Sequence, residues 1–328
     1  MQRREIVKCG LAGLALAALP RAAWPQSAFP TRPLRLVVPF PPGGPTDVFA
    51  RQYATRLAAV LGQPVVIENK SGASGAIGSA EVRRSEPDGY TLLFGTASTH
   101  GLYNLISRQP QYDSIRDFAH IAIVGGAPAA FAANLSQPPT LKGVVDLARS
   151  SPGRLQYGSP GEGTYLHLAA ERLKKEAGGI DMQHIPFRGT AQSMPALLGG
   201  QVGMIVDTLG SSLANHKAGK LRLLAVASAR RSALAPDVPT VDEAIGTRGF
   251  EAVLWNLVAA PAGTPPAVVN TLSVATAKVM SDASLHEQLA RMAITPTTDS
   301  TPASALAYVR SEMEKWRPVV DATGIRSD

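Results

Sequence analysis

Six apolar segments of this chain predict β-strands, and each runs into a short loop rich in Gly, Ser, Thr or Pro. A helical pattern follows most of these loops. Strand–loop–helix units build parallel sheets, and ligands bind at the carboxyl ends of such strands. Three units in each half of the chain therefore predict two lobes whose loops face one another across a cleft. The predicted strands are Leu34–Phe40, Pro64–Asn69 and Tyr90–Phe94, then Leu155–Tyr157, Met182–Phe187 and Gly203–Val206.

The predicted loops offer backbone amides and small hydroxyl groups, which suit an anion. A helix start presents unpaired N–H groups and the positive end of the helix dipole, and Gly lets a ligand approach the backbone closely. Asp207 ends a strand, where it could accept a ligand amine or hydroxyl or form a plain turn. We expect Thr46, Thr164 and Thr190 to cap their helices. The residues selected from the loops are Gly43, Gly44, Thr46, Ala73, Ser74, Thr96, Ser159, Thr164, Gly189 and Thr190.

The first 28 residues have the pattern of an export signal. A charged start precedes the apolar run Cys9–Leu19, which is too short to span a bilayer as a mature helix. Arg3–Arg4 fits both a twin-arginine signal and the charged start of a general signal, so the export route stays open. We expect cleavage between Ala23 and Ala28, and a mature protein in the periplasm.

The composition excludes several kinds of site and partner. Cys9 is the only cysteine and lies in the predicted signal, so the mature chain would carry no disulfide and no thiolate metal site. The six His are not spaced as metal ligands. The net charge is +7, but Lys and Arg are scattered and aromatic residues amount to 5%. We therefore expect no metal, no cofactor and no nucleic-acid partner, and we expect a monomer.

Ser74 lies in the segment that comes nearest to a catalytic motif. Gly72–Ala76 follows a strand and precedes a helix, but it lacks the final Gly of the G-x-S-x-G pattern. A nucleophilic Ser also needs a His base, and His167 and His286 lie in helical patterns that favour structural or surface roles. We expect a binding protein and not an enzyme. A secreted serine hydrolase that uses Ser74 is kept as an alternative.

The remaining segments predict how the lobes are connected. Phe118–Ser136 is a long apolar stretch, interrupted by Gly and Pro, that is expected to cross between the lobes. The last helix, Thr301–Thr323, is expected to pack on the first lobe with Trp316 in the core. We expect residues 29–126 and 231–328 to form the first lobe and residues 127–230 the second.

An ordered set of motifs resembles the Bug-type extracytoplasmic solute receptors, the binding components of tripartite tricarboxylate transporters. Each motif is weak alone, but their order over nearly the whole mature chain is specific. The resemblance implies an α/β, type II-like periplasmic-binding-protein fold, in which each lobe is a mostly parallel sheet flanked by helices. The motifs are LRLVVPFPPGGPTD, VVIENKSGASGAIG, EPDGYTLLFGT, HIPFRGTAQSMPALLGGQVGMIVD and APAGTPP.

The resemblance also implies a ligand and a site. The ligand would be a small organic carboxylate, such as a di- or tricarboxylate or an acidic amino acid, captured by lobe closure and delivered to membrane transporter subunits. First-lobe loops would hold one carboxylate by backbone amides, which adds Asp47, Gly75 and Ala97 to the candidates. Ser159, Thr164, Gly189, Thr190 and Asp207 would face it from the second lobe. A membrane signalling protein is the alternative partner.

Overall fold

Strands and helices alternate along the first part of the chain, as the sequence predicts. The computed structural model describes residues 29–327, so the predicted export signal lies outside the described residues. A 3-10 turn at Ala73–Gly75 and a π-helical segment at Ala97–Leu102 follow the second and third strands. The elements are β1 (Leu34–Val38), α1 (Pro45–Leu61), β2 (Val65–Asn69), α2 (Ala76–Arg83), β3 (Thr91–Thr96), α3 (Tyr103–Ile106) and β4 (Phe118–Ala133).

The second part of the chain repeats this alternation and ends in helices. The last helix, α11 (Pro302–Thr323), is the longest of these and begins with a Thr301 cap and Pro302 in its first turn. The elements are α4 (Leu141–Ser150), β5 (Gln156–Ser159), α5 (Tyr165–Glu176), β6 (Gln183–Pro186), α6 (Thr190–Leu198), β7 (Met204–Thr208), α7 (Leu209–Lys217), β8 (Arg222–Val226), α8 (Val241–Ile245), β9 (Val253–Pro261), α9 (Pro266–Met280), α10 (Ala283–Arg291), β10 (Thr295–Pro296) and α11 (Pro302–Thr323).

The strand pairing builds two lobes. In the first, β1 pairs in parallel with β2 and β3, and β9 follows antiparallel to β3. In the second, β5 pairs in parallel with β6 and β7. The predicted loops therefore leave the carboxyl ends of neighbouring parallel strands in each lobe. This arrangement brings loops that are distant in sequence to one edge of each sheet.

The strand β4 connects the two lobes without a break. It pairs with β9 as far as Pro128 and with β7 from Ala129 onward. Gly125 and Gly126, which were expected to interrupt this segment, lie inside the strand. The short strand β10 pairs with β4 at these glycines and passes close to them: a Cβ on Gly125 would lie 2.6 Å from the Thr295 carbonyl oxygen. The expected lobe boundaries at residues 126 and 230 stay a prediction.

Three alanines meet where the chain passes between the lobes, and we call them the alanine crossing. The Ala129 amide donates to the Ala252 carbonyl at 2.8 Å, and the Ala227 amide donates to the Ala129 carbonyl at 2.8 Å. The Ala252 amide donates to the Ala227 carbonyl at 3.0 Å. All three passing segments are therefore tied by backbone hydrogen bonds.

Helices cover both faces of each sheet and bury its apolar strands. In the first lobe, Phe49 and Tyr53 of α1 pack against Phe94 of β3, with ring centroids 5.3 and 5.7 Å apart. Burying one such side chain contributes about 2 kcal/mol. Within residues 29–327, no helix combines the length and the apolar character that a membrane crossing needs.

The last helix packs against the segments that follow β3 in the first lobe, where it was expected to pack, and it also contacts α5 of the second lobe. Trp316 is buried, as expected, with 1% of its surface exposed. Its indole nitrogen donates to the Tyr165 hydroxyl at 3.0 Å, and Tyr165 is the first residue of α5 in the second lobe. The helix α11 thus joins the two lobes.

Candidate functional site

Two adjoining cavities lie between the loops of the two lobes. The inner cavity has a volume of about 50 Å³ and the outer cavity about 450 Å³. Phe40, Pro41, Pro160, Thr164 and Gly189 line both. The inner cavity is completed by Pro42, Gly44, Pro45, Thr46, Ser98, Leu166, Thr190, Ala191 and Leu254, and the outer by Ser71, Gly72, Ala73, Ser74, Gly75, Gly161, Glu162, Phe187 and Arg188.

The helix α1 begins at the inner cavity without a side-chain cap. Gly44 occupies the N-cap position in an extended conformation, and Thr46 lies inside the first turn. The prediction that Thr46 caps α1 is therefore wrong. Pro45 at the first helical position starts the helix through its fixed φ, so no hydroxyl is required there. The free N–H groups of this first turn are left for another partner.

Asp47 holds the loop before α1 in place. Its carboxylate accepts the Gly43 amide at 2.9 Å and the Asn69 side-chain amide at 2.8 Å. The Arg51 guanidinium donates to both of its oxygens at 2.9 Å. Burial acts to raise the pKa of Asp47, but these hydrogen bonds outweigh it and lower that pKa below its ordinary value. Asp47 is charged, fully bonded and absent from the lining of either cavity, so it positions the loop.

A left-handed turn carries the loop after β2 along the outer cavity. Gly72, Ala73, Ser74 and Gly75 all have positive φ, at 132°, 44°, 53° and 95°. Side chains in this region cost about 1 kcal/mol each, so the turn is strained at Ala73 and Ser74. The Ser74 hydroxyl donates to the carbonyl oxygen of Glu162 in the other lobe. This bond directly joins the two sides of the cleft.

The loop after β3 lines the inner cavity with Ser98, whereas Thr96 and Ala97 were the residues predicted from this loop. Thr96 caps the π-helical segment: its hydroxyl accepts the Ser98 amide at 3.2 Å, and its own amide donates to Thr99 Oγ1 at 2.9 Å. Thr96 and Ala97 are buried and line neither cavity. Ser98 Oγ accepts the Tyr165 amide at 3.0 Å, which gives a second hydrogen bond between the lobes.

Thr164 lines both cavities and caps α5 as predicted. Its hydroxyl accepts the His167 amide at 3.3 Å and donates to the Gly161 carbonyl at 2.7 Å. Ser159 lies deeper in the same loop and is fully buried, with Oγ 2.8 Å from His184 Nε2. Ser159 therefore supports the loop from behind and does not reach either cavity.

A stack of three rings lies beneath this loop. The rings of His167 and His184 are parallel within 12° with centroids 3.8 Å apart, and Tyr157 stacks on His184 at 4.9 Å. The Gly163 amide donates to His167 Nδ1 at 3.1 Å. Burial lowers the pKa of His167 to about 3 and that of His184 to about 4. Both rings are therefore neutral near pH 7.

The helix α6 also begins at the inner cavity without a side-chain cap. Gly189 is its N-cap residue, with φ of 90°, and Thr190 is the first helical residue. Thr190 is therefore not a cap, because the Gly at the preceding position adopts a conformation that other residues avoid. A Cβ on Gly189 would lie 3.5 Å from Pro41 of the other lobe. The starts of α1 and α6 thus face one cavity from opposite lobes.

Asp207 lies behind Thr190 and not in the lining of either cavity. The carboxylate is fully buried, and its Oδ1 accepts the Thr208 amide at 2.7 Å. Burial raises the pKa of Asp207 to about 6, and the Thr208 amide and the hydroxyls of Thr190 and Ser211 lower it only in part. Asp207 is thus buried at the start of α7, beside Thr190 of α6.

The structure brings eight of the predicted residues to the cavities. The six other predicted residues lie in or behind the same loops without lining a cavity. The eight lining residues are Gly44, Thr46, Ala73, Ser74, Gly75, Thr164, Gly189 and Thr190, and the six others are Gly43, Asp47, Thr96, Ala97, Ser159 and Asp207.

Sequence reasoning missed most of the apolar lining. Pro41 and Pro42 stand in the motif LRLVVPFPPGGPTD, and Pro160 stands in the Gly-rich loop after the fourth predicted strand; their position beside glycines could have indicated cavity walls. Leu254 comes from the crossing strand β9 and has no local signal. Among the described residues, no group of three or more His, Cys, Asp or Glu is placed to hold a metal ion.

The fold and the paired loop edges define a two-lobed periplasmic-binding-protein architecture. The family model described as "Tripartite tricarboxylate transporter family receptor" matches residues 49–325. The chain belongs to this family of receptors.

One named relative and two solved structures extend the comparison. The chain is 33% identical to Protein BugT of Bordetella pertussis over 300 residues, which is 90% of this chain and 91% of BugT. A Rhodopseudomonas palustris protein with adipate superposes with a TM-score of 0.85 at 33% identity, covering 91% of this chain and 99% of that one. MatC from the same organism, with bound malate, gives 0.84 at 30% identity, covering 89% and 100%. The resemblance in the sequence is thereby confirmed.

Proposed function

We propose that this protein is a periplasmic receptor that captures a small organic carboxylate between its two lobes. One observation carries the proposal: the uncapped starts of α1 and α6 come from opposite lobes and face the same inner cavity. Each helix start supplies N–H groups without an intrahelical partner and the positive end of a helix dipole. A carboxylate between them satisfies both helices at once.

The chemistry of the lining supports a bound anion without a catalytic group. Thr46 and Ser98 add hydroxyl groups to the lining, and none of the described residues that line the inner cavity has an ionisable side chain. The related proteins noted above were solved with adipate and with malate, both of which are dicarboxylates. The same class of ligand is proposed for this chain.

Capture by closure follows from the contacts between the lobes. The bond from Ser74 to Glu162, the bond from Tyr165 to Ser98 and the approach of Gly189 to Pro41 all join loops of different lobes. A ligand can contact the starts of α1 and α6 at the same time only when the lobes are closed. It therefore stabilises that arrangement by its differential affinity for the two states.

Delivery to the membrane subunits of a tripartite tricarboxylate-type transporter is the proposed outcome of capture. Membership in a receptor family of this transporter class supports it. The pattern of an export signal in residues 1–28 supports a periplasmic location.

The geometry at Ser74 does not favour the hydrolase alternative. A nucleophilic Ser needs a base within hydrogen-bond reach. The Ser74 hydroxyl instead donates to the Glu162 backbone carbonyl. We propose a receptor that forms and breaks no covalent bond in its ligand.

The test compares ligand binding by two variants at one position. Protein purified from the periplasm is screened by thermal shift against di- and tricarboxylates, and hits are measured by titration calorimetry. Thr190→Pro removes an amide at the first helical position, where Pro is tolerated, and it also removes the hydroxyl. Thr190→Ala removes only the hydroxyl. We expect the first variant to bind at least about tenfold more weakly than the second, which corresponds to one lost charge-assisted hydrogen bond.

Two results would contradict the proposal. One is the absence of a thermal shift with any carboxylate. The other is equal binding by the Thr190→Pro and Thr190→Ala variants.

A further inference from the structure

The inner cavity has the lining expected for a hydrocarbon group. This inference rests on the proposed function and concerns which carboxylate the cleft selects. Eight of its lining residues are apolar, and they come from both lobes and from the crossing strand β9. They are Phe40, Pro41, Pro42, Pro45, Pro160, Leu166, Ala191 and Leu254.

The polar groups of the lining have little capacity left for a ligand hydroxyl. Thr164 uses its hydroxyl within its own loop, donating to Gly161 and accepting from His167. Ser98 Oγ accepts the Tyr165 amide, which ties it to the start of α5. The remaining hydroxyls, on Thr46 and Thr190, lie in the first turns of α1 and α6, which the ligand carboxylate would occupy. A hydroxyl on the ligand body would therefore be buried without a partner, which is costly.

An acceptor for a ligand ammonium group is also missing from the inner cavity. Asp207 was the candidate for this role, with a plain turn residue as the alternative. It is fully buried behind Thr190 and lines neither cavity.

The outer cavity provides a site for a second negative charge. It shares five lining residues with the inner cavity, so one elongated molecule extends into both. Arg188 lines the outer cavity, is exposed, and forms no ion pair among the described residues. Glu162 lines the same cavity and offsets part of this attraction. A carboxylate near the Arg188 guanidinium forms a charge-assisted pair.

We infer that the preferred ligand is a dicarboxylate whose two carboxylates are joined by an unsubstituted hydrocarbon linker. One carboxylate lies between the starts of α1 and α6. The linker passes over Phe40, Pro41 and Pro160, which line both cavities. The second carboxylate lies at Arg188. The cleft thereby selects against acids that carry hydroxyl groups along their carbon chain.

The first experiment compares matched acids by titration calorimetry on protein purified from the periplasm. Succinate is paired with tartrate and adipate with galactarate, because each pair shares a carbon skeleton. Both hydroxylated acids carry a hydroxyl towards each end, so neither orientation keeps the inner cavity free of one. In the pair that binds more tightly, we expect the unsubstituted acid to bind at least about tenfold better, within the range of apolar-pocket discrimination.

The second experiment tests the outer carboxylate. Adipate and hexanoate differ only in the second carboxylate, and we expect adipate to bind at least about tenfold better. Arg188→Gln should remove most of this difference, whereas Arg291→Gln, at an exposed position on α10, should not. The Arg291 variant controls for a general change in net charge.

The outcomes separate this inference from the proposed function. Tartrate or galactarate binding as well as its unsubstituted partner overturns the hydrocarbon linker. Hexanoate binding as well as adipate overturns the second carboxylate. In both cases the protein remains a carboxylate receptor, whereas the failure of every acid to bind overturns the proposed function as well.

Discussion

The indole nitrogen of Trp316 donates to the hydroxyl of Tyr165 at 3.0 Å, which ties the last helix to the start of α5. Glu312 completes this cluster: its Oε2 accepts the Trp255 indole at 3.0 Å and the Tyr165 hydroxyl at 3.4 Å. Tyr165 directly follows Thr164, which lines both cavities. A change at Thr164 therefore affects the adjacent Tyr165, which contacts Trp316 directly and is linked to Trp255 through Glu312.

Ligand binding is expected to change the intrinsic tryptophan fluorescence. The third tryptophan, Trp24, belongs to the predicted export signal and lies outside the described residues. The emission of the mature protein would then come from Trp255 and Trp316, both of which contact the Tyr165–Glu312 cluster. Titration with a ligand that binds by calorimetry should shift the emission, and Trp316→Phe should reduce that shift. An unchanged emission at saturation would refute this coupling.

Glu312→Ala is expected to lower the free energy of unfolding by about 2–3 kcal/mol, because it leaves a buried indole N–H without an acceptor. Glu312 has only 6% of its surface exposed. Glu312→Gln keeps an oxygen in place and should cost about 1 kcal/mol less. Urea denaturation measures both variants, and equal losses would show that the acceptor is unimportant.

Asp207→Asn is expected to stabilise the protein increasingly as the pH rises from about 4 to about 6. The pKa of Asp207 is raised to about 6 by burial, so the folded state holds a proton that the unfolded state has already lost in this range. The free energy of unfolding of the wild-type protein therefore falls as the pH rises from about 4 to about 6, by roughly 3 kcal/mol over the whole range. Unfolding free energies at several pH values measure the difference.

A matched variant of opposite sign controls this experiment. Hydrogen bonds from Thr247, Phe250 and Gly249 outweigh burial and lower the pKa of Asp242. Asp242→Asn should therefore destabilise the protein at pH 7, and the loss should shrink on acidification. Parallel pH profiles for the two variants would contradict the assignment.

The His167–His184 stack is expected to weaken the protein in mild acid. Burial lowers the pKa of His184 to about 4, whereas an unfolded His titrates near 6.5. As the pH falls from about 6.5 to about 4, the unfolded state binds a proton that the folded state does not, so stability decreases. His184→Asn should flatten this decline, by about 2 kcal/mol after allowance for partial exposure. A slope unchanged by the substitution would argue against a neutral, buried ring.

Local signals in the sequence were sufficient for the strands and for the edge at which the site lies. The apolar run in β1 and the Pro- and Gly-rich loop after it are contiguous, so the order of strand, loop and helix could be read directly. The capping roles of Thr46 and Thr190 were wrong because Gly also serves at the N-cap, and the choice between neighbouring residues depends on backbone angles.

Features formed by distant segments could not be predicted. His167 and His184 are separated by a helix and a loop, and they meet only because β5 and β6 pair in parallel. Asp207 was placed correctly at a strand end, but its burial behind Thr190 depends on the packing of α6. Leu254 reaches the inner cavity through the crossing strand β9.

The alanine crossing has a consequence for how ligands are ranked. Ala129, Ala227 and Ala252 carry only methyl side chains, and backbone hydrogen bonds hold them together. Bending at the alanine crossing requires little repacking of bulky groups. The free-energy cost of bending therefore depends on the backbone and not on the ligand in the cleft. That cost enters the affinity of every ligand as the same constant offset. Differences between ligands then report the cleft alone, and a substitution at the crossing should scale all affinities together without reordering them.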